Sequence, residues 1–138
     1  LAKIESWRMW VLCDRPPVKD WSRGHVTLLG DAAHPMLQYL AQGACMAVED
    51  AVCLADKAVE MNGDYAKAFR AYQAARYLRT GRVQIMARVY GEFYHAGGVA
   101  KELRNLMLGS RTPDDAMTGL DWLYGEQTEL TRGGVGVA

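Results

Sequence analysis

Apolar residues recur along the chain with two different spacings, and each spacing predicts a different kind of element. Residues 25–29 (HVTLL) form a short run of mainly β-branched and aliphatic side chains between Gly24 and Gly30. This length and composition predict a buried strand. Residues 44–61 contain no glycine or proline, and small apolar side chains recur there every three or four positions. That spacing predicts an amphipathic helix whose small-residue face packs closely on another element.

A second, longer helix is predicted over residues 65–95. Asn62-Gly63 ends the first helix, because glycine accepts a left-handed C-terminal conformation, and Asp64 is a typical N-cap for the next one. The residues predicted to form the inner face of this helix are Leu78, Ile85, Met86, Val89 and Phe93.

The same stretch is strongly basic, with six basic and no acidic residues between Tyr65 and Gly91. We favour a solvated face, or arginines that pair with acids elsewhere in the fold, over a nucleic-acid surface. Beyond residue 96 the pattern weakens. A short helix is predicted near residues 100–108 and a turn at 112–114, and residues 133–138 are predicted to fray.

Composition and charge exclude several classes of protein. The chain has 138 residues, of which 50% are hydrophobic and 23% charged, as in a packed domain. Sixteen basic and sixteen acidic residues give a net charge of zero, which argues against binding to nucleic acid or anionic lipid. No apolar run approaches the roughly 18 residues that span a bilayer, and no signal-peptide pattern is recognised. We therefore expect a cytoplasmic protein that binds neither nucleic acid nor a membrane.

The cysteines and histidines form no pattern of a metal site or a disulfide framework. Cys13, Cys45 and Cys53 include no CxxC pair, and the three cannot all be bridged. Cys45 and Cys53 lie eight residues apart on the first predicted helix, and we interpret both as packing residues. The three histidines lack metal-ligand spacing, and His34 is interpreted as structural rather than catalytic. We expect reduced thiols and no metal.

The order of strand, Gly-Asp, loop, glycine and helix is the feature that points to a ligand. In α/β proteins ligands bind beyond the carboxyl ends of strands, so Asp31 would lie at the ligand edge and accept hydrogen bonds from hydroxyl groups. The first residues of the helix would offer free amides and the positive end of the dipole to an electron-rich group. On spacing alone, an alternative stays open in which Asp31 caps a turn and Gly43 only permits one.

The motif resembles a known signature. GDAAHP at residues 30–35, QGA at 42–44 and EDA at 49–51 are similar to the second flavin-binding signature of the FAD-dependent aromatic hydroxylases, the p-hydroxybenzoate and salicylate hydroxylase group. The likeness extends upstream to residues 14–17 and downstream to 121–125. It implies an α/β parent fold of the p-hydroxybenzoate hydroxylase type, in which this chain is a mainly α-helical part with one or two strands.

The resemblance also implies a role for each candidate site residue. Asp31 matches the aspartate that holds a ribityl hydroxyl of FAD, and Pro35 matches the loop beside the isoalloxazine ring. Gln38 matches an active-site glutamine that hydrogen-bonds the substrate phenol, orients it and assists its ionisation. The residues that match the helix start whose amides face the flavin are Gly43, Ala44 and Cys45.

We expect the chain to be the C-terminal part of a longer enzyme. Members of the family are several times longer, and neither their GxGxxG cradle for the ADP moiety nor their mid-chain Asp-Gly motif occurs here. We assign residues 1–61 to the C-terminal portion of the FAD-binding domain and 62–138 to a C-terminal helical region. The isolated chain is expected neither to bind FAD tightly nor to turn over.

The implied reaction is the hydroxylation of a phenolic aromatic acid with FAD as cofactor, NADH as co-substrate and O2. Residues 35–41 are most similar to the members that convert 3-hydroxybenzoate to 2,5-dihydroxybenzoate (gentisate). Three alternatives stay open: hydroxylation of salicylate or 6-hydroxynicotinate, a flavin-binding module without hydroxylase activity, and a non-catalytic helical packing or dimerisation fragment. The implied partners are the aromatic acid, O2, the N-terminal part of the same enzyme and, as an open alternative, a second copy in a homodimer.

Overall fold

Two long helices packed against each other form the frame of the molecule, which a computed structural model describes over residues 3–125. Helix α1 spans Gly43–Glu60 and helix α2 spans Tyr65–Tyr94. Between them, Asn62 and Gly63 have positive φ angles of 49° and 82°. The Asp64 side chain accepts a hydrogen bond from the backbone N–H of Lys67 at 3.1 Å. Both predicted helices, and the cap between them, are confirmed.

Three shorter helices follow. Helix α3 spans Gly98–Gly109, α4 spans Pro113–Thr118 and α5 spans Asp121–Tyr124. Thr112 begins α4 with a capping box, in which it exchanges hydrogen bonds with Asp115, so the turn predicted at 112–114 leads into a helix. None of the helices within residues 3–125 is long and apolar enough to cross a membrane. The tail predicted to fray lies outside the described residues.

The predicted strand at residues 25–29 is shorter and more exposed than expected. Strand β1 (Ser22–Arg23) pairs antiparallel with β2 (Val26–Thr27) in a small hairpin that turns at Gly24, where φ is 60°. Val26 is 66% exposed. The prediction of a buried strand is wrong because residues 3–125 contain no third strand to enclose the hairpin in a sheet. A mainly helical chain with two strands is nevertheless what the sequence predicts.

The inner face of α2 also differs from its prediction. Leu78, Ile85 and Val89 are each about half exposed, whereas Arg76 and Arg79 are buried. The apolar pattern predicts the wrong inner face because acids on α1 pair with Arg76 and Arg79. This pairing allows the face of α2 that carries the two arginines to be buried. The residues of α2 that are completely buried are Ala68, Tyr72, Thr80, Val83 and Ala87.

Two small apolar clusters join α1 and α2 to the loop that connects the hairpin with α1. This loop, residues 30–42, is called the site loop below. It contains two short 3-10 turns, Gly30–Ala32 and Gln38–Leu40. The first cluster consists of Trp21, Ala33 and Tyr72, and the second of Met46, Val83 and Leu123. The site loop is thus held between the two long helices and the hairpin.

Candidate functional site

Gly30 allows the site loop to approach α1 closely. Its φ angle is 59°, and a Cβ atom added there would lie 3.1 Å from the Cβ of Ala47. Only glycine combines this left-handed backbone with so short a distance to the helix. The close packing predicted for the small-residue face of α1 is confirmed at this point, and it places the next residue, Asp31, beside the start of the helix.

Asp31 and the N-terminus of α1 lie next to each other. Asp31 is exposed in the turn Gly30–Ala32, and a Cβ atom on Gly43 would lie 3.8 Å from its Oδ1 atom. These residues are twelve positions apart in the chain. The structure therefore brings together the carboxylate and the helix start that the motif predicts as one site.

The start of α1 has unused hydrogen-bond donors. Gln42 precedes the helix and makes no side-chain cap, and the hydrogen bond from the amide of Met46 to the Gln42 carbonyl (2.9 Å) is the first of the helix. The amides before Met46 therefore have no intrahelical acceptor, and the positive end of the helix dipole lies there. The residues that carry these amides are Gly43, Ala44 and Cys45, the last two of which are exposed.

Pro35 and Gln38 lie in the site loop, between Asp31 and the start of α1 in the sequence. The two residues differ in how firmly the structure holds them. The Pro35 carbonyl accepts a hydrogen bond from Nε2 of Gln84 at 2.9 Å, and Gln84 is a buried residue of α2 that also bonds the Arg15 carbonyl. Gln38 is exposed, and its side chain has no hydrogen bond to another residue within 3–125. The loop backbone is fixed while the Gln38 amide is available to a ligand.

A buried carboxylate on α1 ties the site loop to both long helices. Asp50 accepts hydrogen bonds from Nε2 of His34 (2.5 Å), from the backbone N–H of Gly30 (3.2 Å) and from Nε of Arg76 (2.7 Å). His34 and Asp50 are both essentially inaccessible to water. The structural interpretation of His34 is confirmed, because its ring anchors the loop from within the core.

Glu49 extends this cluster along α2. Its carboxylate accepts from Nη1 of Arg76 at 2.7 Å, and from Nε and Nη2 of Arg79 at 2.6 and 2.7 Å. Arg88 donates to Asp14 at 2.5 Å. Pairing of the α2 arginines with acids elsewhere in the fold is thereby confirmed for three of them. We call the five connected residues the ion cluster: His34, Glu49, Asp50, Arg76 and Arg79.

The ion cluster keeps its carboxylates ionised despite burial. Burial alone would raise the pKa of Asp50, but hydrogen bonds from His34 and Arg76 hold it below the usual value. Burial opposes ionisation of Glu49 in the same way, and Arg79 and Arg76 lower its pKa. For Arg76, desolvation is outweighed by the two carboxylates, which raise its pKa. In the sequence, the EDA string at residues 49–51 supplies the two acids of this cluster. Its role in ion pairing could not be predicted, because the partners lie on α2.

The two cysteines of α1 have different environments. Cys45 is exposed at the start of the helix, so its interpretation as a packing residue is wrong. Cys53 is half-buried against the cluster of Trp21 and Tyr72, which confirms packing there. Burial raises the pKa of the Cys53 thiol and keeps it protonated. No group of three metal-ligating side chains lies in the part of the chain that the structure describes.

Comparisons with known proteins identify the family. Residues 1–84 match the family model described as FAD binding domain. The chain is 52% identical over 130 residues to 3-hydroxybenzoate 6-hydroxylase 1 of Aquipseudomonas alcaligenes, covering 93% of this chain and 32% of that protein. It is 47% identical over 125 residues to 3-hydroxybenzoate 6-hydroxylase of Klebsiella oxytoca, covering 91% and 32%. The chain thus spans about a third of the length of the curated relatives it matches.

A solved structure shows the same architecture. Klebsiella pneumoniae HpxO, crystallised with FAD and uric acid, is 32% identical with a TM-score of 0.71, covering 78% of this chain and 28% of HpxO. This likeness confirms the predicted parent fold, of which the chain is a mostly helical part. The resemblance to the FAD-dependent aromatic hydroxylases is confirmed as well, and the chain belongs to the FAD binding domain family.

Proposed function

We propose that this chain forms one side of the FAD site in a monooxygenase that hydroxylates a phenolic aromatic acid, converting 3-hydroxybenzoate to 2,5-dihydroxybenzoate with NADH and O2. The observation that carries the proposal is the exposed Asp31 carboxylate beside the uncapped start of α1. The substrate follows from the two relatives whose names give it and which match most of this chain.

The donors and acceptors of the site fit the polar groups of FAD. As the resemblance implies, Asp31 would accept hydrogen bonds from the ribityl hydroxyls of FAD, and the site loop at Pro35 would line the site next to the ring. The amides at the start of α1 stabilise negative charge on the ring, since the positive end of the helix dipole lies there. FAD, when bound, supplies the redox chemistry that NADH and O2 require. The residues whose amides do this are Gly43, Ala44 and Cys45.

Gln38 acts on the substrate rather than on the cofactor. Its exposed amide hydrogen-bonds the phenol oxygen and orients the ring toward the flavin. Donation of an amide N–H to that oxygen stabilises the ionised phenol, which is the stronger nucleophile toward oxygen. Gln38 therefore governs how much of the NADH consumed yields hydroxylated product.

The test separates the two roles in the full-length protein. Asp31→Ala is expected to weaken FAD retention through gel filtration by roughly 10- to 100-fold, the worth of a hydrogen bond to a charged group. Gln38→Ala is expected to keep FAD and to divert NADH oxidation from product to hydrogen peroxide. Flavin absorbance and product yield measure these effects. Asp56→Ala, which removes an exposed aspartate elsewhere on α1, is the matched control and leaves both unchanged.

The same assays decide between this proposal and the alternatives. Chromatography of the product formed by the unaltered protein is expected to show 2,5-dihydroxybenzoate. A 1,2-diol instead would overturn the assignment to formation of 2,5-dihydroxybenzoate. NADH oxidation at the same rate with and without every aromatic acid would leave a flavin-binding module. Full FAD retention by Asp31→Ala would remove that residue from the site. The division at residue 61, the homodimer and the cytoplasmic location stay predictions.

A further inference from the structure

The side chain of Tyr39 occupies a recess on α2 that requires glycine at position 91. A Cβ atom added to Gly91 would lie 2.6 Å from Cε2 and 2.8 Å from Cδ2 of the Tyr39 ring, too close for any real contact. The rings of Tyr94 and His95 meet the Tyr39 ring at 6.2 and 5.5 Å between centroids, each in an edge-on arrangement. We call Gly91, Tyr94 and His95 the Tyr39 socket.

The imidazole of His95, one side of the Tyr39 socket, is fixed by a hydrogen bond. Nδ1 of His95 lies 2.8 Å from the carbonyl oxygen of Gly91. Because a carbonyl only accepts, Nδ1 carries the proton and donates it. The imidazole is thus tied to the last turn of α2, and the Tyr39 ring packs against both this imidazole and the bare backbone of Gly91.

The socket determines which way the neighbouring residue points. Gln38, Tyr39 and Leu40 form one 3-10 turn, in which successive side chains diverge by about 120°. Tyr39 points into the socket, and Leu40 packs against the cluster of Met46, Val83 and Leu123. With two of the three directions occupied by protein, the third side chain is directed outward. Gln38 is accordingly the exposed residue of the turn.

We propose that Tyr39 and Gly91 are positioning residues that aim the Gln38 amide at the phenol oxygen of the substrate. The inference rests on the proposed function, in which Gln38 contacts the phenol. Neither residue touches substrate or cofactor in this proposal; both act through the turn that carries Gln38. A methyl group at position 91 displaces the Tyr39 ring, and the turn and its glutamine move with it.

The first measurement is the effect of Gly91→Ala on the full-length protein. FAD content is expected to stay unchanged, because the variant leaves Asp31 and the start of α1 intact. The kcat/KM for 3-hydroxybenzoate and the product formed per NADH are expected to fall, kcat/KM by roughly 10- to 100-fold, as for a displacement near 1 Å. Gly109→Ala is the matched control, since a Cβ atom there meets nothing within 4 Å.

The decisive measurement repeats the substitution in a Gln38→Ala background. If Gly91 acts through Gln38, Gly91→Ala has no further effect on kcat/KM once Gln38 is absent. Equal fold losses in both backgrounds would mean a structural role and overturn the inference. Tyr39→Leu, which vacates the socket without a clash, replaces Gly91→Ala if that variant loses FAD or helical circular dichroism, and the same masking is expected.

The outcomes also separate this inference from the function on which it rests. Absence of hydroxylated product from the unaltered protein would overturn the proposed function, and with it the role given to Gln38 and its positioning. Normal product from the unaltered protein, combined with independent losses for Gly91→Ala and Gln38→Ala, would overturn the positioning role alone.

Discussion

The site loop is fixed by buried polar contacts, whereas helix α3 lies largely exposed. Backbone atoms of the site loop are bonded by buried or partly buried side chains: Arg15 donates to the carbonyls of Ala32 and Ala33, Gln84 to that of Pro35, and Asp50 accepts from Gly30. Helix α3 has no buried residue, and Leu106 on it is 71% exposed. Residues 7–12 similarly present large apolar side chains to solvent, with Trp10 77% exposed.

Contacts within residues 3–125 therefore define the geometry of the site loop more strictly than that of α3 or of residues 7–12. A buried polar group is stable only with its partners at short distance and good angles, so a network of such groups defines one loop geometry. Apolar surface imposes no comparable direction, and exposed apolar residues add little to the stability of the part that carries them. The candidate site therefore lies where the chain's own contacts are most directional.

Removal of the central carboxylate should have the largest effect. Asp50→Ala leaves Arg76 buried without its main partner and frees His34, so the unfolding free energy of the full-length protein should fall by about 3–5 kcal/mol in chemical denaturation. Glu60→Ala breaks the exposed pair with Lys57 and should cost less than about 1 kcal/mol. If Asp50→Ala and Glu60→Ala lost the same unfolding free energy, the buried ion cluster would be no more important for stability than an exposed ion pair.

Low pH should also lower the unfolding free energy through the ion cluster, but by less than Asp50→Ala does. Protonation removes the charge of the carboxylates and leaves their side chains in place. The folded-state pKa values of Glu49 and Asp50 lie below the unfolded values of 4.5 and 3.8. Their stabilisation is therefore complete above about pH 5 and is lost as the pH falls through the lowered values. Unfolding free energy measured against pH should decline less steeply in Asp50→Asn, and a decline beginning above about pH 6 would point to a different group.

The smallest effect is expected on α3. Leu106→Ala removes an exposed side chain and should change the unfolding free energy by less than about 0.5 kcal/mol. The same substitution at the buried Leu123 should cost about 2–5 kcal/mol. If the two variants of the full-length protein lost the same stability, residues outside 3–125 or another chain would have to cover α3. The contrast between the site loop and α3 would then hold only for residues 3–125 taken by themselves.

The elements that the sequence predicts correctly are those whose deciding interactions are local. Helix α1 was predicted at 44–61 and observed at Gly43–Glu60, and α2 begins at Tyr65 as Asp64 indicated. The order of strand, loop and helix indicated a candidate site at Asp31 and Gly43 but left a simple turn as an alternative. That the two residues lie side by side, twelve positions apart, is a tertiary contact. The inner face of α2 could not be predicted in this way, because a buried Arg76 is stable only if acids from another helix meet it.

The sequence alone predicted α1, α2, the cap between them, the mainly helical composition and, through its motif, the family. The two long helices are predictable because hydrogen bonds and capping within a helix join residues three or four positions apart. The tertiary structure alone decided how the site loop is held. Asp50 meets His34 from 16 positions away and Arg76 from 26, and Gln84 reaches Pro35 from 49. Such contacts exist only after α1 and α2 pack together, because only that packing removes water from the polar groups and leaves them protein partners in fixed directions.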